Sequence, residues 1–465
     1  MRSENVPSTA TSLAGAVGEF AARTRADDVP DEVLERARYL VLDAVGIAFG
    51  STGYAFAGTA RDALTRFGTG DHPVLGVPDR LSARDAAVLN GVLVHGMDFD
   101  DTHIPAVTHV SAAALPAAIS AATIADRTTR ELLVAYVLGV ETAARVGLGA
   151  AGGFHDTGFH PTGLAGAFGA AVTAGKLAGL DAAEIATAQG IVGSMSAGLL
   201  EFLEDGAWTK RLHPGWAAMS GLTAASFAGC GWTGPAAVYE GRFGLYATHL
   251  PTGTSRPQAV EEGLGDRWEL MRTAVKPYPV CHFIHAFADA ALALRAEHEL
   301  RAGDIVAVRC AIHHVPGKVV AEPANRKWEP GDEYDAKFSL PYVVAAALVR
   351  GRFTLAELDD PRANGDILDL ARRVEVGPDD DSAFPDAYSG AVEIELSDGS
   401  RVAHREQVNR GHDERPLSNS EIIEKFRTTT GRVIDGGTID RVQRAVLALG
   451  EDRPARDFAE ECRRA

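Results

Sequence analysis

Four short segments concentrate the side chains able to do chemistry. The first runs His95-Gly-Met-Asp98-Phe-Asp100-Asp101-Thr102-His103 and continues to Thr108-His109. Carboxylates and imidazoles this dense suit an acid/base cluster, in which a carboxylate tunes an imidazole, or a metal site. No HExxH or EF-hand spacing occurs, so no metal is expected. Capping aspartates and a satisfied core histidine would use the same residues without chemistry.

The second segment, Gly158-Phe-His160-Pro-Thr162-Gly, precedes a small-residue helix, where a lone histidine is usually a cap or turn residue. Nearby GLGAAG (147–152) has the letters of GxGxxG but follows a helical stretch, and no GxxxxGK[ST] is present. A phosphate loop is not expected. The third places Lys210, Arg211 and His213 within four residues, between Trp208 and Trp216. Those tryptophans argue for partial burial, and buried cations need an anion from protein or ligand. The fourth is Lys276-Pro-Tyr278-Pro-Val-Cys281-His282-Phe-Ile-His285. Pro277 and Pro279 stop a helix. Cys281, His282 and His285 are expected on the first turn and a half of the next, where an anion is favoured and a thiol is acidified.

The elements that position these segments follow from periodicity. Asp31 to Phe49 reads as a helix, with Pro30 and acids at its start and apolar residues at helical spacing. Ser82 to Met97, Ala112 to Ile124, Arg130 to Val146 and Gly163 to Leu180 share that character. Their many small residues fit closely packed interior helices. Beyond about residue 270 the pattern changes. Ile305 to Val315 reads as a strand, and Ala391 to Gln407 as two strands around Ser397-Asp-Gly-Ser400. Phe338 to Leu348 and Leu355 to Asp360 look helical. Ser418-Asn-Ser-Glu421 is a capping box, and Thr438 to Arg464 is helical again. The expected fold class is mainly α with α+β. A large all-α domain is built from both chain ends (1–270 and 410–465), with a smaller α+β lid domain (271–409) inserted.

The chain has 465 residues, 45 Lys+Arg against 63 Asp+Glu, and a net charge of −18. Such a surface repels phosphates and anionic lipid, so neither nucleic acid nor membrane is an expected partner. The four cysteines form no CxxC, and a zinc ribbon or a closely spaced iron–sulfur pattern has no support. The first twenty residues lack a continuous apolar run, so no signal peptide is expected and a cytoplasmic location is.

Taken in order, the segments resemble the MmgE/PrpD family. The resemblance runs from LVLDAVGIAFGS (40–51) through NGVLVHGMDFDDTH (90–103), FHPTGLAGAFGAAVTAGKLAGLD (159–181) and DGAWTKRLHPGWAAMSGL (205–222). It continues through KPYPVCHFIHA (276–286) to AKFSLPYVVAAAL (336–348). It implies a helical domain with an α+β lid, a homodimer, and an active site carried by Asp98, Thr102, His109, His160, Lys210, Lys276 and Tyr342. Family chemistry starts at carbon beside a carboxylate and uses no cofactor.

A small anionic di- or tricarboxylate substrate would be held by Lys210, Arg211, His213 and Lys276, with Thr102 and His282 alongside. The same cations would stabilise charge that develops as the α-proton leaves. His109 is the first choice for proton transfer, its tautomer fixed by Asp98, with His160, Tyr342 and Cys281 on the opposite side. The first expectation is a dehydratase of a citrate-like (2-methylcitrate-type) hydroxy acid. An iminodisuccinate-type epimerase is second. A cis-aconitate-type decarboxylase is third, because the resemblance implies a histidine in that branch where this chain has Cys281, with His282 alongside. Outside this class stand a metal-dependent hydrolase and a non-catalytic anion binder.

Overall fold

A computed structural model describes residues 12–384 and 387–464. They fall into two compact units, one within Met1–Val275 and Ser418–Ala465, the other Lys276–Leu417. The architecture is mainly helical with small sheets.

At the centre of the first unit lies the helix Pro161–Ala178, buried except at Lys176 and Ala178. Helices Thr129–Ala150, Thr209–Gly229 and Ser111–Ile124 pack around it. Alanine and glycine dominate these faces, and side chains this small let helix axes approach closely. Thr129–Ala150 is long and apolar enough to cross a bilayer, yet nearly all of it is enclosed by protein. Burial on every side accounts for its all-round apolarity. A capping box starts it, with the Thr128 hydroxyl accepting from the Glu131 N–H and the Glu131 carboxylate accepting from the Thr128 N–H.

Periodicity locates these helices to within a few residues. Asp31–Ser51, Ala83–His95, Ser111–Ile124 and Thr129–Ala150 all form. The GLGAAG letters fall mostly on the last turn of Thr129–Ala150, so they make no open loop. The capping box at Ser418 opens the helix Asn419–Thr430. The expected single tail helix is two, Gly436–Leu447 and Ala455–Glu461.

The second unit holds a four-stranded mixed sheet. Ile305–Ile312 pairs in parallel with Val374–Pro378 on one side and antiparallel with Gly390–Leu396 on the other; Gly390–Leu396 pairs in turn with Arg401–Glu406. Helices His285–Glu297 and Leu340–Arg350 pack on it. The hairpin turns at Asp398-Gly399, with Gly399 at φ +84°, where glycine carries no Cβ penalty. Two expectations change. Ile305 to Val315 ends as a strand at Ile312, because His313 caps the short helix His314–Val320. Leu355 to Asp360 is a 3-10 turn over Leu355–Leu358.

Candidate active site

Helices Ala83–His95 and Thr209–Gly229 meet at two glycines. A Cβ on Gly91 would lie 2.4 Å from the Gly215 Cα, so any larger side chain forces the helices apart. Here the missing side chains have a purpose. The contact brings His95, the last residue of one helix, close to Lys210 and His213 in the first turns of the other.

The loop from Gly96 to Val110 then carries the densest chemistry and is fastened on several sides. Arg211 Nε donates to the Gly96 carbonyl at 2.7 Å. Lys425 Nζ donates to the Phe99 carbonyl at 2.8 Å and pairs with Asp43 at 2.7 Å. Thr102 and His103 pair as a short strand with Ala274 and Thr273. The His103 Nε2 lies 3.1 Å from Glu269 Oε2, both buried. Burial alone would raise the Glu269 carboxyl, but His103, Arg267 and Arg272 outweigh it and hold it at about 2. The His109 N–H donates to Thr162 Oγ1 at 3.1 Å. Within this loop Asp98 and Val107 have φ of +51° and +52°. The left-handed region is uncommon for aspartate and strained for a β-branched valine.

These constraints assemble a buried group around His109. Its Nδ1 lies 2.8 Å from the Asp101 carbonyl oxygen. A carbonyl only accepts, so Nδ1 carries the hydrogen and Nε2 is left as the base. Nε2 lies 3.9 Å from Asp98 Oδ1. That same oxygen accepts from Lys210 Nζ at 2.7 Å, both side chains being buried. The expectation that Asp98 fixes the His109 tautomer is therefore corrected. Asp98 is committed to Lys210, and the Asp101 backbone orients the ring. Thr102 Oγ1 sits farther off, at 3.5 Å from Nδ1.

Asp101 itself is fully buried, and burial pushes its carboxyl up to about 7. It accepts from the Ser111 N–H at 3.2 Å and from the Ser111 hydroxyl, which also contacts the Tyr136 hydroxyl.

A second oriented imidazole stands beside the first. His95 Nδ1 donates to Asp100 Oδ2 at 2.8 Å, and its ring lies 4.7 Å from that of His109. Its Nε2 is buried with no hydrogen-bond partner among the described residues. His95 and Asp100 lie inside the first motif, but sequence reasoning did not single them out for a role. The signal was present as an i, i+5 His–Asp spacing, uninformative until the Asp98 turn folds the loop back.

His160 and His213 continue the group, their Nδ1 atoms 3.0 Å apart. Burial, with neighbouring His95, His213, Lys210 and His109, holds His160 well below its ordinary value. Burial likewise pushes His213 down to about 4, with His95 and Lys210 adding to the effect. His213 is thus neutral at pH 7, which corrects its expected part in a cationic clamp. Arg211 also anchors the loop. Its Nε holds Gly96 and its guanidinium lies over Phe56 at 4.2 Å.

The structure groups Asp98, His109, His160, Lys210 and His213 in the first unit, with Thr102 beside them. Within the second unit Cys281 precedes the 3-10 turn His282–Ile284, and the helix begins only at His285. The expected cysteine and histidines on a single helix turn-and-a-half therefore become a turn and a helix start. His282 Nε2 accepts from the Asn409 amide at 2.9 Å. Lys276 is buried. Tyr342 is fully buried, its hydroxyl donating to the Glu357 carbonyl at 2.6 Å and accepting from Asn364.

Among the described residues, two groups have ligand atoms close enough to consider a metal: His95, His109 and His160, and Asp98, Asp100 and His109. They share His109, and the Lys210 ammonium already neutralises Asp98. A divalent ion would add charge beside that fixed cation, so the donor set fits proton transfer better than metal binding.

Comparison with known proteins places the chain in a family. Residues 15–258 match the MmgE/PrpD N-terminal domain and residues 278–450 the MmgE/PrpD C-terminal domain. The chain is 28% identical over 455 residues to a cis-aconitate decarboxylase of Aspergillus terreus (strain NIH 2624 / FGSC A1156), covering 92% of this chain and 91% of that protein. It is 30% identical over 436 residues to the Homo sapiens cis-aconitate decarboxylase, covering 90% and 88%. The Mus musculus protein of the same name is 29% identical over 454 residues, covering 91% and 88%. With both of its halves matched in order, the chain belongs to the MmgE/PrpD family and is an enzyme of its lyase type.

Proposed function

We propose that this enzyme is a cofactor-independent lyase for a small tricarboxylate, and that it decarboxylates an unsaturated acid of the cis-aconitate kind. The observation that carries the reading is His109, held by the Asp101 carbonyl with Nε2 turned to the Lys210–Asp98 pair. In this reaction the bond to one carboxylate breaks, carbon dioxide leaves, and the electron pair remains on carbon. Lys210 stabilises that charge electrostatically. Protonated His109 then delivers a proton to the carbon, a step worth ~10²–10⁴-fold. The names of the relatives support decarboxylation over the dehydration that sequence reasoning put first.

Dehydration of a citrate-like hydroxy acid is the second reading. Two separately oriented imidazoles, His95 and His109, favour it, since one can abstract the α-proton while the other protonates the leaving hydroxyl. Lys276 and His282 are proposed substrate contacts and Cys281 a proposed catalytic group, each tested by single substitution, whereas the Tyr342 hydroxyl is held by Glu357 and Asn364. A homodimer is the proposed assembly, tested by analytical ultracentrifugation.

Proton NMR in D₂O with cis-aconitate, citrate and 2-methylcitrate separates the readings. Carbon dioxide with one deuteron placed on carbon supports decarboxylation. A new alkene from the hydroxy acids supports dehydration, and deuterium wash-in alone supports epimerisation. No change in any acid contradicts the proposal.

A further inference from the structure

Imidazoles in this unit do not stop at the catalytic group. His213, the outermost, lines a groove of about 600 Å³ together with Leu199, Phe202, Thr209, Leu212 and Trp216. Leu199 is 61% exposed and Trp216 45%, so the groove is open to solvent along its rim. From His213 a row of imidazoles leads inward. Its Nδ1 faces the His160 Nδ1 at 3.0 Å. The His160 ring stacks on that of His95 at 5.5 Å and lies 6.2 Å from that of His109. One ring nitrogen from each of His95, His109 and His160 lies within 4.8 Å of the other two, a separation one bridging water can span.

We infer that His213 and His160 form a proton relay that joins the groove to His109. This rests on the proposed decarboxylation, which consumes one proton per turnover and must replace it from solvent. A neutral imidazole suits the task, because it accepts on one nitrogen while donating from the other. A proton from solvent adds to His213 Nε2, and the Nδ1 hydrogen passes to His160 Nδ1. His160 then gives up the hydrogen on its Nε2 toward His109, whose Nε2 supplies the carbon. Each imidazole ends neutral with one solvent proton delivered per carbon dioxide released, and exchange with water returns His213 and His160 to their starting tautomers before the next turnover. Burial keeps both relay members uncharged at rest, ready to accept.

The test uses His213→Gln and His213→Phe in the full-length enzyme. In dilute buffer kcat should fall by on the order of 10²-fold with little change in KM. Added imidazole, small enough to enter the groove, should restore it saturably. Full kcat in dilute buffer, or a loss that imidazole does not restore, overturns the relay. A second measurement needs no turnover. In the unliganded ¹⁵N-histidine-labelled protein, solvent exchange of the His160 N–H should slow in His213→Phe, and unchanged exchange overturns the relay. If wild type turns over none of the acids while this exchange still depends on His213, the relay stands and the decarboxylase reading falls.

Discussion

His95 and Asp100 form a pair sealed from solvent, Nδ1 to Oδ2 at 2.8 Å, with both side chains fully buried. Asp100 Oδ2 also lies 3.5 Å from His109 Nδ1, so one carboxylate faces both imidazoles. An orienting carboxylate of this kind fixes the tautomer and supports the imidazolium when it forms. Asp100→Asn should lower kcat by about 10²–10⁴-fold, because the amide can present the wrong hydrogen to His95. Circular dichroism should be unchanged. Steady-state kinetics check this, and an unaltered kcat would remove Asp100 from the mechanism.

Lys210 and Asp98 form a buried ion pair at 2.7 Å in an otherwise acidic protein. The buried cation is matched within the site by the Asp98 carboxylate. Lys210→Ala should lower kcat/KM by about 10²–10³-fold, the scale of losing one electrostatic stabiliser. Removing one partner of a buried pair costs about 3–5 kcal/mol, which should lower the melting temperature without abolishing folding. The double variant Lys210→Met with Asp98→Asn should recover melting temperature but not activity. Undiminished kcat/KM in Lys210→Ala would sink the proposed charge stabilisation.

Asp101 sets a pH dependence of stability. Its folded value of about 7 lies above the ordinary 3.8, so the fold favours the protonated acid. That contribution is complete below about pH 4 and is lost as pH rises through 7. Asp101→Asn should flatten the fall in melting temperature across this range, leaving the share due to Glu141, also held up at about 7 by burial. His213 acts with the opposite sign. Its contribution is present above pH 6.5 and lost as pH falls through about 4, so His213→Gln should flatten the acid limb. Thermal scans from pH 4 to 8 check both slopes.

Gly91 and Gly215 set the distance between the helices that carry His95 and Lys210. Gly91→Val should destabilise the protein by about 1–3 kcal/mol through overpacking and should lower kcat together with stability. Gly58→Ala, where a Cβ meets nothing within 4 Å, is the matched control and should leave activity unchanged. Equal activity in both variants would refute the role of the glycine contact.

Much of the fold is legible because its signals are local. Asp31–Ser51 declares itself by spacing, Asn419–Thr430 by Ser418 and Glu421, and the hairpin by Asp398-Gly399. The strand Val374–Pro378 is not legible. Its five residues show little alternation, and their pairing with Ile305–Ile312 is made about sixty positions away along the chain. The site divides in the same way. Asp98, His109 and Lys210 stand out by type and crowding. The Lys425 contact with Phe99 joins residues 326 positions apart. Arg211 looks like a substrate clamp in sequence, and only the folded Gly96 turn shows which carbonyl it holds. Residue types announce the chemistry, whereas partners depend on a backbone turn at Asp98 that no spacing encodes.

The most direct measurement incubates the purified enzyme with cis-aconitate in D₂O and follows carbon dioxide and product by NMR. The account predicts one carbon dioxide and one carbon-bound deuteron per product molecule, with His109→Gln losing both. Carbon dioxide release undiminished in His109→Gln, or no turnover of cis-aconitate by the wild type, would contradict it.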